Sequence, residues 1–192
     1  MSWDDDQHGE VAWWDRCLTT YGEETKQLVY ADRMGLVNTP VDGQGPVYLL
    51  GGRRVIDLGG GPVSLLLQCR ELGSSVVVDP GAYPGWVRAR YDCAGIEWVQ
   101  APAEGYCTGS YDEAWIYNCL QHTIDPQRII ANARAMAPVV RLFEWVGIAA
   151  HAGHPHELSV QCLNEWLGAT GTLERFDGDN ECYGVAYHGV FR

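Results

Sequence analysis

Val55-Ile56-Asp57-Leu58-Gly59-Gly60-Gly61-Pro62 runs a short apolar segment with one embedded carboxylate straight into three glycines. The apolar half reads as a buried strand, and the glycines let the backbone turn at positive φ where a ligand comes close. Helix-forming residues follow, so Val63–Leu72 is expected to be a helix whose N-terminal N–H groups face an anion. A dinucleotide-binding turn would carry a third glycine at position 64, where this chain has Ser64.

Outward from this turn, strand and helix patterns alternate. Strands are expected at Ser75–Asp79, Ile96–Gln100, Tyr111–Tyr117 and Val139–Trp145, with helices at Tyr83–Ala94 and Pro126–Ala137. Short apolar strands separated by amphipathic helices predict a parallel sheet covered on both faces. The tail differs: a helix over Glu157–Leu167, then Thr172–Phe176 and Tyr183–Phe191 around the turn Asp177-Gly178-Asp179-Asn180, which reads as a hairpin. The expectation is a Rossmann-like three-layer α/β/α sandwich with a mostly parallel seven-stranded sheet, a C-terminal antiparallel hairpin and an N-terminal helical segment. Residues 8–35 carry Val11, Trp14, Leu18, Leu28, Ala31 and Met34 at helical spacing, closed by Gly35. Neither a linker nor a repeat divides the chain, so residues 1–192 read as one domain, with 1–46 as a helical lid or cap and 47–192 as the core.

Thirteen basic against twenty-five acidic residues give a net charge of −12, which repels phosphate backbones and disfavours long nucleic acid as a partner. There is no apolar run long enough for a membrane span, and the start Met-Ser-Trp-Asp-Asp-Asp lacks the features of a secretory signal. Seven cysteines, odd in number and never in a Cys-x-x-Cys pair, fit reduced thiols in a cytoplasm and no zinc cage. No metal site is expected.

Asp57-Leu58-Gly59-Gly60-Gly61-Pro62 resembles the Asp/Glu-x-Gly-x-Gly signature of class I S-adenosylmethionine (SAM)-dependent methyltransferases. The resemblance implies that Gly59, Gly60 and Gly61 pack against the amino-acid part of SAM, with Asp57 supporting the loop and the ammonium group. Asp79, which ends Val76-Val77-Val78-Asp79 twenty-two residues after Asp57, matches the family's ribose-binding acid. A carboxylate there has the lone pairs to accept both ribose hydroxyls. Gln100-Ala101-Pro102-Ala103-Glu104 is similar to the stretch that holds the adenine, through the Ala103 N–H and the Glu104 side chain. Asn118-Cys119-Leu120-Gln121-His122 resembles the segment beneath the sulfonium, which adds Asn118 and Leu120 to the donor site. The implied cofactor is SAM, with S-adenosylhomocysteine as product.

The acceptor side is less specific. His122 is a candidate general base beside the methyl group, or a residue that only packs there. His151, His154 and His156 read as metal ligands, acceptor contacts or structural loop residues; His156 is the second catalytic candidate. Trp13, Trp14, Tyr21 and Tyr30 either stack on a flat acceptor or form a seam with the core, and for Trp14 packing is the reading. The expected activity is methyl transfer to an O or N atom of a small molecule. The alternatives are a nucleic-acid- or nucleotide-modifying methyltransferase and a non-catalytic SAM- or dinucleotide-binding module. Oligomeric state is not legible.

Overall fold

The computed structural model describes residues 8–9, 11–12, 14, 20–40, 45–151, 153–178 and 182–192. Trp13, Cys17, Leu18, Asp42-Gly43-Gln44, Asp179 and Asn180 fall outside them.

Seven strands form one sheet: β2 (Val55–Leu58), β4 (Val76–Asp79), β5 (Glu97–Gln100), β6 (Glu113–Tyr117), β7 (Val140–Val146), β8 (Thr172–Asp177) and β9 (Tyr183–Phe191). Their order is β5-β4-β2-β6-β7-β9-β8. The first five are parallel; β9 runs antiparallel to β7 and pairs antiparallel with β8. The hairpin and the mostly parallel sheet agree with the sequence expectation. A separate parallel pair joins β1 (Tyr48–Leu49) to β3 (Cys69–Arg70).

Alternate residues of the parallel strands feed two cores, because successive side chains leave opposite faces of a strand. Ile56, Leu58, Val76, Val78, Ala114 and Ile116 face one side, against α3 (Pro126–Met136) and α4 (Val160–Leu167). Val55, Val77, Trp115 and Tyr117 face the other, against α1 (Tyr21–Arg33) and α2 (Gly85–Ala94). Burial on both faces is why these strands read as unbroken apolar runs. The helix ends follow local chemistry. Asp125 accepts from Arg128 N at 2.9 Å with Pro126 opening α3, and Ser159 accepts from Cys162 N at 3.1 Å at the start of α4.

The expected helix over Val63–Leu72 is corrected. Only a single 3₁₀ turn forms, Leu65–Gln68, and the chain then enters β3. Local propensity loses to long-range pairing: Leu50 N and Gly52 N donate to the carbonyls of Arg70 and Glu71, which a helix would have used itself. Ser64 stays extended, with its hydroxyl accepting from Leu66 N at 3.1 Å. The anion-binding helix N-terminus inferred from the sequence is therefore absent after the glycines.

Candidate functional site

The strand order reverses at β2: the chain moves outward through β4 and β5, then returns to β6 on the other flank. A crevice opens beyond the strand ends at such a switch point. Gly59, at φ +83°, turns the chain out of β2, its N–H donating to Val78 O at 2.8 Å. A Cβ on Gly59 would lie 2.7 Å from Cys119 Sγ, and one on Gly60 would lie 2.5 Å from Asp57 Oδ2. Gly61, at φ +59°, faces open space, with nothing nearer than Tyr83 Oη at 4.0 Å.

Asp57 lies behind this loop, fully buried, and does not line the crevice. Its Oδ2 accepts from the Ser64 hydroxyl and from Tyr117 Oη at 2.5 Å. Its Oδ1 is buried with no hydrogen-bond partner among the described residues. Burial pushes its pKa up to about 7 against the pull of the two hydroxyls, and the nearby Asp79 charge adds to the rise. Tyr91 closes the loop from below, donating to Gly61 O at 2.6 Å and accepting from Ser64 N at 2.9 Å.

Asp79 stands at the end of β4 on the crevice wall. One oxygen accepts from Gly61 N at 3.0 Å and the other from Gly81 N at 2.9 Å. Ala103 and Glu104 line the same wall. Glu104 Oε1 accepts from Ile124 N at 2.7 Å and Asp125 N at 3.2 Å, so this carboxylate also ties two loops together.

Beyond β6, Asn118 adopts φ +50° and donates its N–H to Phe143 O at 2.8 Å. The next two N–H groups, Cys119 and Leu120, both donate to Glu144 Oε1, at 3.0 and 3.1 Å. Glu144 is fully buried, and desolvation raises its pKa to about 7. Asn118, Cys119 and His122 line the crevice, whereas Leu120 packs in the core beneath it. His122 Nδ1–H donates to Gly153 O at 2.6 Å, which leaves Nε2 as the basic nitrogen, 3.4 Å from the Gln121 amide nitrogen. Its ring meets His154 edge-on at 4.3 Å. His151 and His154 exchange backbone hydrogen bonds of 2.9 Å across a tight turn. His156 donates to Ile124 O at 3.1 Å and does not line the crevice. Among the described residues, no group of three or more His, Cys, Asp or Glu side chains converges in a metal-like cluster.

These walls enclose a cavity of about 340 Å³, completed by Trp14, Glu23, Lys26, Gln27 and Tyr30 of the N-terminal segment and by Tyr83 and Tyr117. Gln27 donates to Val63 O, which fastens α1 to the chain just past the glycines. Tyr30 stacks on Phe143 at 4.4 Å, so it serves the seam while its edge borders the cavity; Trp14 is buried there and Tyr21 is exposed. Sequence reasoning missed Glu23, Lys26, Gln27, Ser64 and Glu144. Gln27 and Glu144 left a signal, as polar residues at positions where the apolar period of a helix and a strand demands burial.

No family model matches the chain, and no curated protein matches it in sequence. Solved structures do resemble it. The 1,6-didemethyltoxoflavin-N1-methyltransferase of Burkholderia thailandensis, with bound 1,6-didemethyltoxoflavin and S-adenosylhomocysteine, superposes with TM-score 0.60 at 16% identity, over 96% of this chain and 82% of that one. The magnesium protoporphyrin IX methyltransferase of Synechocystis PCC 6803, with bound SAM, gives 0.58 at 16% identity, over 90% and 79%. A phosphoethanolamine N-methyltransferase of Haemonchus contortus, with phosphomonomethylethanolamine and S-adenosylhomocysteine, gives 0.58 at 18% identity, over 81% and 39%. At such identities the likeness is one of fold: this chain has the Rossmann-like fold of the class I SAM-dependent methyltransferases.

Proposed function

We propose that the chain binds SAM in this cavity and transfers its methyl group to an O or N atom of a small molecule. One observation carries the reading: a glycine cradle with positive φ at Gly59 and Gly61 meets the Asp79 carboxylate on the wall of a cavity at the switch point. Asp79 Oδ2 accepts from Gly61 N and Oδ1 from Gly81 N, and a carboxylate oxygen has lone pairs for more than one donor, so Asp79 is the acceptor for hydroxyls of a ribose. Gly61 leaves room for the ligand backbone, while Asp57 fixes the loop from behind with one oxygen unpartnered among the described residues. The residues present fit the group. Solved neighbours with bound SAM or S-adenosylhomocysteine, two of them also holding small acceptors, support the same assignment.

SAM, when bound, supplies an electrophilic methyl group on a sulfonium. The chain's own part is to align the partners, exclude water and take a proton from the acceptor. His122 is the residue for the proton, because the Gly153 carbonyl holds Nδ1 protonated and leaves Nε2 basic. The N-terminal segment acts as a cap, since Trp14, Glu23, Lys26, Gln27 and Tyr30 close one side of the cavity.

Asp79→Ala tests the reading. Removing two charge-assisted hydroxyl contacts should weaken SAM binding by roughly 2–4 kcal/mol while the far-ultraviolet spectrum stays native. Unchanged affinity in a titration would take Asp79 out of the site.

A further inference from the structure

The cavity wall has an uneven charge. Among its described lining residues Lys26 is the one lysine or arginine, against the carboxylates of Glu23, Asp79 and Glu104. Two of those carboxylates are already engaged by backbone N–H groups: Asp79 by Gly61 and Gly81, Glu104 by Ile124 and Asp125. Glu23 is different. It pairs with Lys26 at 2.8 Å one helical turn away, and both side chains are partly shielded, at 28% exposure for Lys26 and 21% for Glu23. The wall thus presents a paired ammonium and carboxylate on one face of α1.

The helix that carries them is fastened close to the glycines. Gln27, the residue after Lys26, donates to Val63 O, two residues past Gly61. Glu24, the residue after Glu23, is bridged to Arg90 of α2 at 3.1 Å. The backbone that carries Lys26 and Glu23 is therefore held at the glycine-loop side of the cavity.

Resting on the assignment of SAM to this cavity, we propose that Lys26 and Glu23 form the receptor for the donor's amino-acid end, Lys26 taking the α-carboxylate and Glu23 the α-ammonium. A zwitterion is matched by a zwitterionic pair, and each charge exchanges one partner for another of the same sign. The exchange leaves no buried charge unpaired, which keeps the desolvation cost low. The pair thereby selects an adenosine ligand bearing a free amino acid over one that lacks it.

The test uses two ligands on the full chain. S-adenosylhomocysteine carries the amino-acid end; 5′-methylthioadenosine has the same adenosine and thioether without it. Wild type should bind S-adenosylhomocysteine at least tenfold more tightly. Lys26→Met should weaken S-adenosylhomocysteine about 10- to 100-fold, the range for a lost charge-assisted contact, and leave methylthioadenosine within twofold. Lys26→Arg should recover most of the loss. Equal weakening of both ligands in Lys26→Met would make Lys26 a structural residue, and unchanged binding of both would remove it from the site; either overturns the proposal. Failure of wild type to bind either ligand would overturn the SAM assignment itself, a result separable from the other two.

Discussion

Asp57 is held by two hydroxyls and by no cation among the described residues, and the consequence is readable in stability. Its pKa rises from 3.8 to about 7 on folding, so the native state holds the proton more tightly than the unfolded chain. Such a group costs stability as pH climbs from about 4 to about 7, and the cost is complete above that window. Asparagine cannot ionise, so Asp57→Asn should melt near wild type at pH 4.5 and several degrees higher at pH 8. The ceiling is about 4 kcal/mol, three pKa units at 1.36 each. A melting difference that does not change with pH would show that Asp57 titrates as an ordinary carboxylate. His122 belongs to the same scale. If it is the base proposed for the acceptor, His122→Ala should lose about 10²–10⁴-fold in turnover, with SAM affinity nearly unchanged. The acidic limb of the pH–rate profile should vanish with it. Persistence of that limb in the residual activity would assign the proton transfer elsewhere.

At the scale of elements, the turn after β2 and the segment after β6 are built against each other. Gly59 sits where any Cβ would press on Cys119, and its φ of +83° resists a branched side chain. Gly59→Val should therefore abolish measurable SAM binding and lower the melting temperature, as followed by titration and thermal scan. A folded mutant with wild-type affinity would break the link between this turn and the ligand. Strand periods, the hairpin and the glycine turn were legible because they depend on neighbours in sequence. Gly59 to Gly61, Asp79, Ala103, Glu104, Asn118 and His122 line one cavity. Three other expected residues do not: Asp57 and Leu120 lie behind the wall, and His156 hydrogen-bonds to Ile124 O. Burial of one residue behind another is not encoded in spacing. The missing helix at 63–72 has the same cause, because its competitor is a strand pairing contributed from Tyr48–Leu49. Glu144 left a sign of burial but not of its role, because its partners, Cys119 N and Leu120 N, lie more than twenty residues away.

For the whole molecule, the strand order β5-β4-β2-β6-β7-β9-β8 fixes the place of the cavity before any side chain is considered. Contacts that fasten α1 to the rest of the fold include Gln27 to Val63 O, Glu24 to Arg90, Arg33 to Glu174 at 2.7 Å and His188 Nδ1 to Arg33 O at 3.2 Å. A net charge of −12 favours a cationic ligand over a polyanion. No helix among the described residues is long and apolar enough to cross a membrane. All of this turns on which nucleoside ligand the cavity accepts. Isothermal titration of the wild-type chain with SAM, S-adenosylhomocysteine and NAD decides it. Saturable one-to-one binding of SAM and S-adenosylhomocysteine and none of NAD is the expected result; binding of NAD with no heat from SAM would make the cavity a dinucleotide site instead.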